Sequence, residues 1–151
     1  PFVAAISLGA EGRPLYIKMA LVAGFARKAV LDWANADLAP GCIATSDGLG
    51  CFAGVTYAGC QHRVIVADGR KPKELPEFNW INTVLGNLKT SLEGAYHAFD
   101  FAKYGTRYLC AFVYRFNRRS HLEALPLRLF VAAATIGLRS ARWLRLAEES
   151  F

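Results

Sequence analysis

The sequence predicts one α/β domain with a mixed sheet, in which an antiparallel hairpin is followed by parallel strands and flanking helices. Three observations carry this prediction. The chain has 151 residues, of which 54% are hydrophobic and 20% charged, so it can bury a sizeable core as one globular unit. Apolar residues alternate or cluster in short runs in the first part of the chain, and they recur at helical spacing in the second part. Turn-forming Gly and Pro residues separate the segments.

The first half of the chain predicts strands that alternate with helices. Residues 2–8 and 15–19 alternate or run apolar, with β-branched and aromatic members, and flank a turn with Gly and Pro, which is typical of a β-hairpin. Residues 24–38 carry apolar side chains at mostly helical spacing and end before Pro40 and Gly41, so a helix is expected there. The elements expected next are a strand at 42–46, a short helix to about residue 58 and a strand at 61–67.

The second half predicts helices. Residues 68–78 hold two prolines and a glycine and cannot sustain regular structure, so they should form a loop. Helices are expected at 79–99, 101–117 and 122–136, followed by a basic helical tail at 139–151. We divide the chain into a main domain, residues 1–120, and a C-terminal helical extension, residues 121–151.

Charge and composition narrow the classes of function. The net charge is +6, and between residues 101 and 146 nine basic residues stand against a single acid, Glu123, which favours a polyanionic partner such as DNA. The alternative is a solvated helix face that happens to be basic. The longest apolar runs fall far short of the roughly 20 residues of a spanning helix, so no membrane partner is expected. Four cysteines without a CxxC pair argue against zinc, and reduced thiols fit a cytoplasmic protein.

A small set of polar residues could carry chemistry. Asp47 follows a predicted strand and precedes a glycine, where it could hold a divalent cation or merely cap a helix or form a turn. Asn82 and Lys89 lie seven residues apart on one predicted helix, so both leave the same face and could converge on a phosphodiester beside Asp47; simple solvation of that face is the alternative. His62 and His97 are candidates for polar roles, although isolated histidines are often structural.

Basic residues in two other segments predict contacts to DNA. Lys71 and Lys73 lie in the predicted loop and should add nonspecific, salt-sensitive affinity. Arg118 and Arg119 belong to the string YRFNRRS, which mixes aromatic and arginine side chains as contacts to the DNA backbone often do.

The combined strings TSDG, INTVLGNLKTSLEGAYHAF and YRFNRR resemble the DDE transposases of bacterial insertion sequences, in the group with an ISXO-type, integrase-like domain. The resemblance runs from the hairpin to about Arg119. It implies a ribonuclease-H-like fold and a catalytic set of two aspartates, then Asn or Glu, then a lysine seven residues later. Asp47 matches the second aspartate, Asn82 the third position and Lys89 the lysine, while His97 joins the residues expected to contact DNA.

The resemblance also implies cofactor, partners and location, and it has one gap. The metal would be Mg²⁺ or Mn²⁺, held by Asp47 and Asn82. The partners would be transposon ends and target DNA, and the complete enzyme would be a homo-oligomer. It would act in the bacterial cytoplasm, at the nucleoid. The strand with the first aspartate has no match, and Glu11, in the hairpin turn, is a poor substitute. We therefore expect part of a catalytic domain that does not cut DNA unaided. A noncatalytic DNA-binding remnant and a nuclease that hydrolyses without joining are the alternatives.

Overall fold

A computed structural model describes residues 1–95 and 100–146. Within these ranges four strands and six α-helices alternate with short 3-10 turns. The strands are β1 (Phe2–Leu8), β2 (Pro14–Leu21), β3 (Ile43–Ser46) and β4 (Gln61–Val64). The helices are α1 (Arg27–Asp37), α2 (Gly54–Tyr57), α3 (Asn79–Ala95), α4 (Phe101–Asn117), α5 (Leu125–Thr135) and α6 (Ala141–Leu144).

The predicted elements are present, with shifted ends. The helix expected at 24–38 begins at Arg27, and the strand expected at 61–67 ends at Val64. The expected loop at 68–78 contains two 3-10 turns, each of which includes a proline. The last four residues of the helix expected at 79–99, and the last five of the basic tail, lie outside the described residues.

Antiparallel and parallel pairing both occur, but in two separate sheets. The hairpin β1–β2 pairs antiparallel, and β3 pairs with β4 in parallel. Each sheet has two strands, and within the described residues no strand hydrogen-bonds to both. The mixed α/β class is confirmed, whereas the single continuous sheet that we expected is not formed.

The outer edge of β2 is closed by a side chain from the end of α4. The Ile17 N–H donates to Asn117 Oδ1 at 2.8 Å, and Asn117 Nδ2 donates to the Ile17 carbonyl at 3.0 Å. Ile17 therefore turns its backbone groups away from β1, although it stands opposite Ile6 in the register. In an antiparallel pair such positions alternate, so Phe2, Ala4 and Ile6 present their N–H and C=O groups to the far edge of β1. No described strand pairs with that edge.

The edge of β3 that faces away from β4 is also open. The Cys42 carbonyl accepts from the Gln61 N–H, and the Ser46 carbonyl accepts from the Ile65 N–H. Residues of even number in β3 therefore turn their backbone groups toward β4, and Ile43 and Thr45 turn theirs outward. Among the described residues the two sheets thus each present an unpaired edge, at β1 and at β3.

One core, the α1 core, joins the two sheets on one face. Its buried members come from β1, from α1 and from the segment between β3 and β4, and they are Val3, Val30, Trp33, Ala34, Cys51, Val55 and Cys60. Ala5 of β1 and Ala44 of β3 pack against it. Gly54 allows the close approach of α2 to α1, because a Cβ there would lie 2.5 Å from the Arg27 carbonyl oxygen.

The second core, the α3–α4 core, covers the other face of the hairpin. Its buried members are Ile17, Met19, Val84, Leu88, Leu109 and Phe112. Even-numbered residues of β1 pack against it, while Val3 and Ala5 face the α1 core, as the two-residue period of a strand requires. In the described part of the chain, no helix has the length and apolar content needed to cross a membrane.

Candidate functional site

Asp47 stands immediately after β3 with its side chain exposed. Its Oδ1 accepts a hydrogen bond from the Leu49 N–H at 3.2 Å, which makes a local turn through Gly48. Gly48 has φ of +90°, a conformation that favours glycine. The turn anticipated as an alternative role is thus present, while the 3-10 helix that follows begins after Leu49 without a side-chain cap. The second carboxylate oxygen has no hydrogen bond to the described residues.

Ser46 and His62 support the turn that carries Asp47. The Ser46 side chain is buried, and its Oγ lies 2.8 Å from His62 Nε2. The Gly48 N–H also points to Ser46 Oγ, at 3.5 Å. His62, a candidate from the sequence, therefore has a polar partner. Ser46 was not a candidate, because its contact follows from the parallel register, which places Ala44 of β3 opposite His62 of β4.

Asn82 and Lys89 both lie exposed on α3. Lys89 Nζ is 3.9 Å from Glu93 Oε1 in an exposed i,i+4 pair, which adds little to stability and leaves the ammonium accessible. Around Gly86, which lies between them, a Cβ would meet no atom within 4 Å. This surface of α3 is therefore open to a ligand.

Asp47 belongs to a different part of the fold from Asn82 and Lys89. β3 packs on the α1 core, whereas α3 contributes to the α3–α4 core. Within residues 1–95 and 100–146 no hydrogen bond or ion pair joins Asp47 to either residue, and no three acidic, His or Cys side chains cluster as metal ligands. The convergence of Asp47, Asn82 and Lys89 on one metal and one phosphate stays a prediction.

The basic residues divide by what they contact. Lys71 and Lys73 are exposed at the first 3-10 turn of the loop. Arg119 donates to the backbone carbonyls of Pro14, Leu15 and Phe116 and stacks on the Phe116 ring, so it extends the closed edge of β2. Its DNA contact stays a prediction beside this structural role.

Arg118 differs from its neighbour. Its guanidinium carbon lies 3.9 Å from the centroid of the Tyr114 ring, and its Nε is buried without a hydrogen-bond partner among the described residues. Arg118 therefore keeps hydrogen-bonding capacity that Arg119 has used. His97, the remaining residue expected to contact DNA, lies outside the described residues.

Comparison with known proteins decides the family. The family model of the ISXO2-like transposase domain matches residues 1–117, from the hairpin to the end of α4. The chain belongs to this transposase family. No curated protein and no solved structure matched the chain.

Membership of the transposase family implies a role in transposition, interaction with DNA and, for DDE transposases in general, use of a divalent metal. The match contains Asp47, Asn82 and Lys89. It ends at residue 117, so Arg118, Arg119 and the helices α5 and α6 lie outside it. The predicted boundary after residue 120 stays a prediction.

Proposed function

We propose that this chain is part of a DDE transposase catalytic domain that cleaves and joins DNA with Mg²⁺ or Mn²⁺. The observation that carries the proposal is the exposed Asp47 carboxylate at the carboxyl end of a parallel strand, within the matched domain. Open α/β sheets place ligand-binding groups at the carboxyl ends of their strands. Asp47 would bind the metal, Asn82 would complete or orient its site, and Lys89 would hold the DNA backbone.

The open edges of β1 and β3 support the proposal that the domain has a ribonuclease-H-like fold. Phe2, Ala4 and Ile6 on β1, and Ile43 and Thr45 on β3, turn unpaired backbone groups outward. Unpaired strand edges are ready templates for a further strand. We propose that a strand outside residues 1–151 pairs with both edges and brings the first catalytic aspartate. That strand would join the two half-sheets into one mixed sheet.

Asp47 and Asn82 offer oxygen ligands of the kind that a hard divalent cation prefers, but they provide one carboxylate between them. Mg²⁺ binds through one or two carboxylates together with substrate phosphate and water. Residues 1–95 and 100–146 offer Asp47 and the amide oxygen of Asn82, so a second carboxylate from the proposed strand would complete the set. A bound divalent metal would supply Lewis-acid chemistry to the attacking and leaving oxygens. Lys89 contributes a compact positive charge to the phosphate.

A noncatalytic DNA-binding remnant is the second candidate. The net charge of +6 supports DNA binding irrespective of any metal. This candidate predicts DNA binding without strand transfer, even when the strand that carries the first aspartate is present.

Asp47→Asn in the complete transposase tests the proposal. The amide oxygen can still accept from the Leu49 N–H, so the turn is preserved while the charge is removed. We expect strand transfer to be abolished and binding to transposon ends to be retained, as measured with labelled end fragments. Asp32→Asn is the matched control, because Asp32 is an exposed aspartate on α1. Unchanged strand transfer by the Asp47 variant would rule out the metal role.

A further inference from the structure

A cleft outside the proposed catalytic residues lies between the start of β2, the end of α4 and the start of α5. Its volume is about 520 Å³. Aromatic, basic and acidic residues line it, among them Tyr16, Arg118, His121, Glu123 and Arg128. A cleft of this kind has room for a ligand with both an anionic and a flat apolar part.

The basic residues of the cleft are available to a ligand. Arg118 is held in place by its stacking on Tyr114, and its buried Nε has no hydrogen-bond partner among the described residues. Arg128 is exposed and makes no ion pair with the described residues. Glu123, the one acid among the described residues that line the cleft, lies with its Oε1 3.6 Å from His121 Nδ1. Two arginines therefore remain for an anion, and the fork of a guanidinium matches phosphate oxygens.

The aromatic residue of the cleft, Tyr16, indicates more closely which class of ligand would bind there. Tyr16 lies on the hairpin, and its side chain is 60% exposed. An exposed ring beside two arginines is the arrangement by which proteins hold single-stranded nucleic acid, with a base on the ring and the phosphate on the cations. A base inside a duplex cannot stack on a side chain in this way, because neighbouring base pairs cover both its faces.

We propose that this cleft binds one unpaired nucleotide of DNA, with its phosphate on Arg118 and Arg128 and its base on Tyr16. The proposal rests on the proposed handling of DNA by a transposase, but it requires neither the metal nor Asp47. The cleft would hold a single-stranded stretch near a DNA end while the chemistry takes place elsewhere on the domain.

Fluorescence anisotropy tests the proposal. It measures how tightly the full chain binds a short, fluorescently labelled oligothymidine in the presence of EDTA. We expect Tyr16→Ala to weaken binding about 5- to 150-fold, the range that follows from loss of one base stack. Arg118→Gln and Arg128→Gln should each weaken binding and lower the slope of log K against log salt by about 0.7, whereas Tyr16→Ala should leave that slope unchanged. A duplex of the same length should be insensitive to Tyr16→Ala.

Matched controls are an exposed tyrosine and an exposed arginine outside the cleft, Tyr57→Ala and Arg142→Gln, which should change the affinity for oligothymidine less than twofold. Tyr16 and Arg128 are exposed, so their variants should fold, and thermal unfolding checks this. Equal losses for single strand and duplex, or an unchanged affinity in the Tyr16 variant, would overturn the proposal. Asp47→Asn should retain oligothymidine binding, so failure of the catalytic proposal and failure of this one are separate outcomes.

Discussion

The hairpin and the parallel pair are both two-stranded sheets, yet they are buried very differently. The hairpin lies between the α1 core and the α3–α4 core, and Ile17 in β2 is only 1% exposed. The parallel pair contacts the α1 core alone, and Ile43 in β3 is 69% exposed. Two isoleucines in neighbouring half-sheets thus have opposite environments, because only one half-sheet has a helical layer on its second face.

The difference concerns more than one side chain. Parallel sheets are generally covered on both faces, so an exposed isoleucine in a parallel strand is unusual. The edges follow the same division, since Asn117 and Arg119 close the outer edge of β2 while the outer edge of β3 is open. Both faces of the hairpin are covered, although its β1 edge is unpaired among the described residues, whereas the parallel pair that carries Asp47 is open on one face as well as at the edge of β3.

The largest expected effect comes from the covered face of the hairpin. Leu109→Ala removes a side chain of α4 that is 1% exposed in the α3–α4 core, and should lower the free energy of unfolding by about 2–5 kcal/mol. Ile43→Ala should change it by less than about 0.5 kcal/mol. Urea unfolding followed by circular dichroism measures both. A large loss for Ile43→Ala would show that this face is covered in solution and would break the comparison.

A smaller effect is expected at the closed edge of β2. Asn117→Ala leaves the Ile17 N–H and carbonyl without their partners, which should cost about 1–3 kcal/mol of unfolding free energy. The matched control is Asn87→Ala, at an exposed position on α3, with an expected change within about 0.5 kcal/mol. Equal effects of the two substitutions would mean that the edge is not closed by Asn117.

The smallest effect concerns the thiols of the α1 core. The Sγ of Cys60 lies 3.1 Å from that of Cys42. Burial, followed by the hydrogen bond between the two thiols, raises the pKa of the Cys60 thiol from its ordinary value of 9.0 to about 11. Because the folded chain holds this proton more tightly, the contribution of Cys60 to stability is constant below about pH 9 and declines between pH 9 and 11.

The raised pKa and the burial of Cys60 should slow its reaction with iodoacetamide, and mass spectrometry after alkylation at pH 8 measures that rate. Cys110 is exposed and should react well before Cys60, and the rate at Cys60 should rise with pH as its thiolate fraction grows. Comparable rates at the two cysteines at pH 8 would show that the parallel pair opens readily, which would sharpen the contrast with the hairpin.

Local sequence pattern predicted most of the elements because their causes are local. The alternation of apolar residues in β1, the helical spacing in α3 and α4 and the Gly–Pro punctuation between elements are all read within a few residues. The placement of Asp47 directly after β3, and of Asn82 and Lys89 on α3, followed from the same patterns, while the roles of these residues stay predictions.

The features that the sequence did not predict depend on residues far apart in the chain. Asn117 closes the edge at Ile17, one hundred residues away, and Ser46 meets His62 only because of the register between β3 and β4. Arg118 and Arg119 are adjacent and identical in type, yet one donates to the backbone of β2 and the other lines a cleft. No local pattern distinguishes them.

The chain's order of strands and helices, its basic charge and its family motifs are properties of neighbouring residues, so they follow from the amino-acid sequence. The division into two half-sheets, the open edges between them and the opposite environments of Ile17 and Ile43 arose only from the packing of α1, α3 and α4. The physical reason is that burial and edge pairing depend on which distant surfaces meet, and the period of a strand specifies its two faces without specifying what covers them.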